Sequence, residues 1–261
     1  MLCSRAFFLK FLKNKKMKQI DDITWQSNDG LITFKNMDCN EFMAGCKDNE
    51  FNLNLSDPPY GFNNGNIPNN AAKQEIYKKY KEQIWDIKPD KFSFEEIFRT
   101  SLNQIVWGGN YFSELWTRGN NRGYIFWDKI QVSNKHADGE LAWTSFDKNC
   151  KLFRYCWSGN RYGFEEELKG VGMPSERIHP TEKPVELYKW IIDNYTKPTD
   201  TILDCFGGSM SNAIACHMKR RKLTIIELDS EYFANALFRF SEYEQKVEDI
   251  KEFGYAKTKI N

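Results

Sequence analysis

A strand, a glycine turn, a helix and a second strand follow one another closely within residues 201–227. Apolar residues predict the first strand over 201–206 and the helix over 212–218, and the second strand, 222–226, ends at Glu227. Two strands joined through a helix lie parallel in one sheet. The segment therefore predicts an α/β fold. The 261 residues of the chain are enough for one such core.

The turn Gly207-Gly208-Ser209 and the acid Glu227 suit a nucleoside cofactor. Glycines let the backbone fold tightly, and a carboxylate at the end of the second strand can accept hydrogen bonds from two ribose hydroxyls. The turn lacks the G-x-G-x-x-G spacing, so a dinucleotide-dependent dehydrogenase is not favoured. A plain connection between strand and helix, with no ligand, explains this segment equally well when it is taken alone.

The tetrapeptide Asp57-Pro58-Pro59-Tyr60 follows another apolar strand, predicted over 51–56. Two consecutive prolines fix the backbone and remove two N–H donors. The turn then offers one carboxylate and one carbonyl as acceptors, with a tyrosine ring that can stack on a flat substrate. These groups suit the recognition of an amino group, whereas a solvent-exposed Asp-Pro turn is the simpler alternative.

A third polar segment, 177–184, precedes a predicted helix in which Pro184 is expected as the first residue. His179, Thr181 and Lys183 stand at the helix start and could hold an anionic carboxylate there. The helix itself carries an apolar stripe that predicts core packing. The residues of this stripe are Val185, Tyr188, Ile191, Ile192 and Tyr195.

Together these motifs resemble the DNA amino-methyltransferases that use S-adenosylmethionine, in their beta-type motif order. That order places the DPPY motif first (57–60), the HPTEKP segment second (179–184) and the glycine-turn motif last (204–212). Segments 105–110 and 125–129 resemble the middle strands of the family, and the resemblance spans 30–240. It implies a single Rossmann-like methyltransferase domain over 23–261, with a circularly permuted motif order. The fold implied is α/β, with a central, mostly parallel, twisted sheet and helices on both of its faces.

The resemblance also implies the site residues. Those expected to be catalytic are Asp57, Pro58, Pro59 and Tyr60. Those expected to bind S-adenosylmethionine are Asp38, which would meet the adenine ring, and His179, Thr181, Lys183, Asp204, Phe206, Gly207, Gly208, Ser209 and Glu227. No metal site is expected, because the three histidines and seven cysteines are scattered and no C-x-x-C pair occurs.

The cofactor turn departs from the family pattern D-P-F-x-G-S-G-T-T. Cys205 replaces the proline, Met210 replaces the last glycine, and Ser211 and Asn212 replace the threonines. A side chain at position 210 is expected to crowd either the helix start or the cofactor.

Three functions are compatible with these motifs. The first is methylation of the exocyclic N6 amine of a flipped adenine in DNA, which Asp57 favours because the cytosine-N4 members of the family usually carry Ser there. The second is cytosine-N4 methylation. The third is a catalytically silent DNA-binding relative, suggested by Met210. Methylation of RNA or of protein amides is a weaker alternative, since related enzymes tend to carry Asn before the prolines.

Composition and net charge limit the kinds of partner that the chain can bind. The net charge is only +1, so double-stranded DNA must bind a local basic face, for which Lys73, Lys78, Lys79 and Lys81 are candidates beside a lid expected within 61–100. A short target-recognition segment is expected at 157–178. No membrane partner is expected. The scattered cysteines favour a reducing compartment and hence the cytoplasm. A homodimer and a cognate restriction endonuclease, or a solitary or phage-borne enzyme, are left open.

The N-terminal 22 residues are expected to form a disordered basic arm. The apolar run 6–12 is short, is interrupted by Lys10 and lacks a cleavage site for a signal peptide. Translation from Met17 is an alternative start, because sequence that resembles the family is recognised only after it.

Overall fold

A ten-stranded sheet forms the centre of the computed structural model, which describes residues 17–61, 87–118, 122–130, 137–158, 161–164 and 182–258. In chain order the strands are β1 Lys18–Gln19, β2 Thr24–Gln26, β3 Ile32–Asn36, β4 Phe51–Ser56, β5 Ser101–Trp107, β6 Tyr124–Asp128, β7 Gly139–Thr144, β8 Lys151–Arg154, β9 Cys156–Ser158, β10 Arg161–Gly163, β11 Thr201–Asp204 and β12 Lys222–Glu227. Strands β9 and β10 pair separately as an antiparallel hairpin.

The order across the large sheet is β1-β2-β3-β12-β11-β4-β5-β7-β6-β8. Its middle five strands, from β3 to β5, are all mutually parallel. The antiparallel pairs lie outside this block, between β1, β2 and β3 on one side and between β5, β7 and β6 on the other. The prediction of a mostly parallel central sheet is therefore confirmed for the part that carries the motifs.

Helices cover both faces of the sheet. They are α1 Cys39–Ala44, α2 Lys91–Thr100, α3 Ser113–Trp116, α4 Val185–Tyr195, α5 Ser211–Met218 and α6 Ser230–Thr258, with a 3-10 turn at Gly109–Tyr111. Side chains of successive strand residues alternate between two buried apolar clusters: Ile105 and Trp107 pack with helices α4 to α6, and Val106 packs with helices α1 to α3. This alternation is the period of two that a strand buried on both faces requires.

The strand order of the sheet reverses between the neighbouring strands β4 and β11. From β4 the chain continues to its neighbour β5, whereas from β11 it continues to β12 on the other side. Loops that leave two such strands diverge, and the crevice outside their carboxyl ends is where open α/β sheets bind ligands. The motif 57–60 follows β4 and the glycine turn follows β11, so both predicted sites meet at this crevice.

Local predictions agree with the structure to within a few residues. The strands predicted over 51–56 and 222–226 are observed as β4 and β12, and the helix predicted over 212–218 begins one residue earlier, at Ser211. The strand predicted over 201–206 ends at Asp204, where the turn begins. Pro184 is the N-cap of α4, with φ −69° and ψ 145°, and not its first residue. A proline cannot donate, so it suits either position.

Two of the expected boundaries need correction. The disordered arm expected over 1–22 does not include residues 17–22: Met17 is buried in the core, and β1 pairs with β2 in register Lys18 to Gln26. The lid expected within 61–100 does not reach its C-terminal end, because α2 is an ordinary packed helix with Phe94 and Ile97 buried. Residues 1–16 and 62–86 lie outside the described residues, and with them Lys73, Lys78, Lys79 and Lys81.

No helix in the described part of the chain is long and apolar enough to cross a lipid bilayer. The candidate target-recognition segment 157–178 is described only in the hairpin of β9 and β10 and at residue 164.

Candidate active site

The carboxyl ends of the five parallel strands form one edge of the sheet, and four predicted acids stand there. Asp57 follows β4, Asp204 ends β11, Glu227 ends β12 and Asp38 follows β3. Parallel strands bring these positions together although the sequence separates them by up to 189 residues (38 to 227). Each acid makes different contacts, and these contacts separate their roles.

Asp57 is paired with Lys183, a residue that the family resemblance assigns to the cofactor. The ammonium of Lys183 contacts Asp57 Oδ2, and it also lies 3.2 Å from Glu140 Oε2. Tyr60 donates its hydroxyl hydrogen to Asp57 Oδ1 at 2.8 Å. The side chain of Lys183 is only 3% exposed. Both oxygens of Asp57 are therefore engaged, and the buried ammonium is shared between two carboxylates.

Burial and charge oppose one another in this cluster. Burial raises the pKa of Asp57, although the ammonium of Lys183 opposes the rise. Burial alone would lower the pKa of Lys183, but the carboxylates of Asp57 and Glu140 outweigh it and raise that pKa. Burial alone would raise the pKa of Glu140, but the ammonium groups of Lys183 and Lys129 outweigh it and lower that pKa to about 2. Lys183 and Glu140 are therefore both charged at neutral pH.

The Tyr60 ring lies in an aromatic group at the same edge. Its centroid is 5.1 Å from that of Tyr111 and 6.2 Å from that of Phe112, the latter edge-on. Gly108 makes this packing possible: its φ is +67°, and a Cβ atom built there would come within 2.3 Å of the Tyr60 ring. The glycine after β5 is thus required by the tyrosine of the 57–60 motif.

The glycine turn and Glu227 hold one another in place. The N–H of Gly208 donates to Glu227 Oε2 at 2.8 Å, and the N–H of Asp229 donates to Oε1 at 2.8 Å. Gly207 passes so close to β12 that an added Cβ would lie 3.0 Å from the Ile226 carbonyl oxygen. Burial raises the pKa of Glu227, and the two N–H donors oppose this rise. Each carboxylate oxygen has a second lone pair that can accept a further hydrogen bond.

Met210 does not crowd the crevice. Its backbone is left-handed, with φ +56° and ψ 29°, and it caps the start of α5. Its side chain is 1% exposed and packs in the apolar cluster beneath α4 to α6. Glycine adopts a left-handed conformation readily, which agrees with the glycine that the family pattern has at this point. The expectation that the side chain would press on the helix start or the cofactor is wrong, because the core accommodates it.

Asp204 is buried under the turn. Its Oδ1 accepts the N–H of Phe206 at 3.0 Å, and its Oδ2 accepts a hydrogen from Asn212 Nδ2 at 3.0 Å. Burial raises its pKa to about 7. Asn212, which replaces a family threonine, therefore fixes Asp204 from the first turn of α5. The contacts of Asp204 shape the turn, and direct cofactor binding by this residue stays a prediction.

Asp38 is the N-cap of α1. Its Oδ1 accepts the backbone N–H of Asn40 at 2.7 Å and that of Glu41 at 3.3 Å. Capping of this kind fixes the backbone that leaves β3. Its predicted contact with the adenine ring stays a prediction.

Helix α6 ties the glycine turn to the segment that carries Lys183. Arg239 donates to the Ser209 carbonyl oxygen at 2.8 Å and to Ser211 Oγ at 3.1 Å, and its other terminal nitrogen lies 2.8 Å from Glu182 Oε1. Ser209 and Phe206 line the same turn. His179 and Thr181 lie outside the described residues.

Three charged residues of this region are not apparent from the sequence: Glu140, Lys129 and Arg239. Glu140 faces Trp127 in the antiparallel register of β7 and β6, which brings it near Lys129 at the end of β6. The sequence signal for Glu140 is its position directly after a glycine, at the start of an otherwise apolar strand. Arg239 gives no local signal, because it lies on an ordinary charged helix.

Comparison with known proteins shows the family to which the chain is similar. A family model described as DNA methylase, for the N6/N4 methyltransferases, matches residues 4–238. The match begins before Met17, so the expectation that family-like sequence starts only after that residue is wrong. Among curated relatives, the type II methyltransferase M.PvuII of Proteus hauseri is 29% identical over 165 residues, which are 62% of this chain and only 39% of that protein.

Two further relatives align over most of their length. The putative methylase YubD of Escherichia coli is 26% identical over 75% of this chain and 84% of that protein. The type II methyltransferase M2.MboI of Moraxella bovis is 24% identical over 84% of this chain and 90% of that protein.

A solved structure has the same fold. The PvuII DNA methyltransferase, described as cytosine-N4-specific, superposes with a TM-score of 0.54 at 18% identity, over 82% of this chain and 87% of that one. The Rossmann-like prediction is thereby confirmed. Since the family model covers most of the sequence, this chain belongs to the N6/N4 family of DNA methylases.

Proposed function

We propose that the protein transfers a methyl group from S-adenosylmethionine to the exocyclic N6 amine of a flipped adenine in double-stranded DNA. The methyl donor is that of the family. The observation that carries the proposal is the Asp57 carboxylate at the end of β4, held by Tyr60 and Lys183 at the crevice beside the glycine turn. In this position the acid supplies an acceptor for one hydrogen of an amino group, and the Pro58 carbonyl supplies an acceptor for the other.

The residues at the crevice fit a nucleoside cofactor with a methionine tail. Glu227 keeps lone pairs for ribose hydroxyls after it has accepted the N–H groups of Gly208 and Asp229. Gly207 has no room for a side chain. We assign the cofactor to Glu227, to the turn Phe206-Gly207-Gly208-Ser209 and to Asp38, with Asp204 as support beneath the turn. When bound, S-adenosylmethionine would supply an electrophilic methyl group on a sulfonium.

The chain's own task is to make the amine nucleophilic. The lone pair of an exocyclic amine is delocalised into the ring, so the free base reacts poorly. Hydrogen bonds from the amine to the Asp57 carboxylate and the Pro58 carbonyl favour tetrahedral nitrogen and localise that lone pair. Correct alignment of two reactants is worth about 7–11 kcal/mol of a barrier. No covalent intermediate with the protein is needed.

The target base has to leave the duplex to reach Asp57. Base flipping costs a few kcal/mol, and stacking on an aromatic side chain offsets part of that cost. Tyr60 is our candidate for this contact, since its ring lies beside Asp57 in the aromatic group with Tyr111 and Phe112.

Adenine is proposed over cytosine because of Asp57. Cytosine-N4 methylation is the second candidate, and the likeness to M.PvuII favours it. The idea of a catalytically silent relative loses its main support, because Met210 packs in the core. A cytoplasmic location follows from the proposed DNA substrate. A homodimer and a partner endonuclease stay open.

Product analysis tests the proposal. Purified protein is incubated with unmethylated DNA and S-adenosylmethionine carrying a labelled methyl group. The DNA is then digested to nucleosides, which are separated and identified by mass spectrometry. We expect labelled N6-methyladenine with the wild type and none with Asp57→Ala. Labelled N4-methylcytosine would identify the second candidate instead. The absence of any labelled base over many duplex sequences would refute both.

A further inference from the structure

Glu140 lies against the proposed catalytic carboxylate through a shared lysine. It stands in β7, outside every motif, and its Oε2 is 3.2 Å from the ammonium of Lys183, which contacts Asp57 Oδ2 on its other side. Its second oxygen, Oε1, accepts a hydrogen bond from Lys129 at 2.5 Å. Within the described residues, four charged groups thus alternate in sign: Asp57, Lys183, Glu140 and Lys129.

This arrangement presents the proposed reaction with a difficulty. The amine nitrogen becomes more positive as it attacks the methyl group, and a full positive charge beside it opposes that change in a site of low polarity. Lys183 is such a charge, and it occupies Asp57 Oδ2, which the amine is to use. The Lys183 side chain is 3% exposed, so water cannot readily replace a carboxylate as the partner of its ammonium.

We propose that Glu140 is a positioning residue: it receives the ammonium of Lys183 when the target amine approaches, and so frees Asp57 Oδ2. The inference rests on the function proposed above. A short shift is enough, since Glu140 Oε2 already lies 3.2 Å from the ammonium. The shift leaves no buried charge without a partner, because Lys183 stays paired with Glu140 and Asp57 keeps the Tyr60 hydroxyl and gains the approaching amine.

Lys129 holds Glu140 in a position to receive the ammonium of Lys183. Its bond to Glu140 Oε1 fixes the carboxylate on the side away from Asp57. The Lys129 ammonium is itself steadied over the Trp127 ring, 4.8 Å from its centroid. The Trp107 ring lies 5.3 Å from the Lys183 ammonium and offers a surface that tolerates a cation. Glu140 is therefore a fixed anion toward which the lysine can move.

The test is a double-mutant cycle on single-turnover methyl transfer to DNA. Glu140→Gln should lower the rate constant by about tenfold or more, as a misplaced catalytic group does. Affinity for S-adenosylmethionine, measured by calorimetry, should stay within about twofold of the wild type. Glu140→Asp should restore part of the rate, since the charge remains. The matched control is Glu95→Gln on the exposed face of α2, which should leave the rate within about twofold.

The decisive comparison is made in the Lys183→Gln background. There Glu140 has no ammonium to receive, so adding Glu140→Gln should change the remaining rate by less than about twofold. Equal losses in the two backgrounds would overturn the inference, as would a wild-type rate for Glu140→Gln. Thermal melts show whether each variant is folded. If Glu140→Gln is unfolded, the rates of Glu140→Asp and Lys129→Gln are compared in the two backgrounds instead. A wild type that methylates no DNA would instead refute the proposed function itself.

Discussion

Lys183 and Asp57 are 126 residues apart in the chain, and the buried ammonium of one contacts a carboxylate oxygen of the other. The contact joins the HPTEKP segment to the DPPY turn, so a residue assigned to the cofactor belongs with the proposed catalytic group. It also gives Asp57 a fixed orientation before any substrate is present.

Replacing Asp57 by Ala should abolish methyl transfer and leave cofactor affinity within several-fold. The fold does not require that carboxylate, because Lys183 keeps Glu140 as a partner. Transfer of labelled methyl groups to DNA measures the first effect, and calorimetry with S-adenosylmethionine measures the second. Wild-type turnover by this variant would exclude the proposed mechanism.

Replacing Glu227 by Ala should weaken the binding of S-adenosylmethionine. Each hydrogen bond to a charged group is worth about 1.5–3 kcal/mol, and the variant also releases the N–H of Gly208. The affinity of Glu227→Gln should lie between those of Glu227→Ala and the wild type, since an amide oxygen still accepts a hydrogen bond. Calorimetry checks the order, with Glu95→Ala as an exposed control. Unchanged affinity of Glu227→Ala would remove this residue from the site.

Met210→Gly should destabilise the fold by about 1–3 kcal/mol. Glycine relieves a left-handed backbone strain of about 1–2 kcal/mol, but loss of the buried side chain and the cavity left behind cost about 2–5 kcal/mol. Arg220 is a matched control, because it too is left-handed, with φ +55°, but its side chain is 68% exposed. Arg220→Gly relieves the same strain and removes only an exposed ion pair with Asp29, so it should stabilise the protein in urea unfolding by up to about 1–2 kcal/mol. A stabilised Met210→Gly variant would contradict this account.

Glu244→Gln should stabilise the protein above neutral pH. Burial raises the pKa of Glu244 to about 7, with Asp29 and Glu248 adding to the rise and the N–H of Asn28 opposing it. Its Oε2 has no hydrogen-bond partner among the described residues. A carboxyl whose folded pKa is raised contributes stability at low pH that is lost as pH rises toward that pKa.

The variant and wild type should therefore unfold alike below about pH 4, where the carboxyl is protonated in both the folded and the unfolded state. At pH 8 the variant should be more stable by up to about 3 kcal/mol, the scale of a pKa shift from 4.5 to about 7. Denaturant unfolding across this range makes the measurement, and Glu95→Gln should follow the wild type throughout. Equal stabilities of Glu244→Gln and wild type at pH 8 would disprove the assignment.

Neutralising Lys78, Lys79 and Lys81 together should weaken binding to all duplexes similarly. These lysines lie outside the described residues, and the expectation comes from their clustering beside the 57–60 motif. Phosphate contacts position a protein without reading sequence. The slope of log affinity against log salt should fall by about 0.9 for each phosphate that the variant no longer neutralises, with the methylated sequence unchanged. An unaltered slope would mark these lysines as a solvated face.

Sequence alone determined the local elements and the chemistry attached to them. The glycine turn, the acid at Glu227 and the 57–60 motif are short, and their conformations depend on neighbours in the chain, on proline and glycine geometry and on strand periodicity. For that reason β4, β11, α5 and β12 could be predicted to within a few residues, and the family could be named from the order of three motifs.

Tertiary structure decided which side chains meet. The pairing of Lys183 with Asp57, the presence of Glu140 and Lys129 beside them and the reach of Arg239 to Ser209 depend on strand order and helix docking, which no local pattern encodes. The same holds for Met210, whose side chain turns inward because a buried space exists beneath α5. Burial and charge at such positions depend on residues far apart in the chain, and only the folded sheet brings these residues into contact.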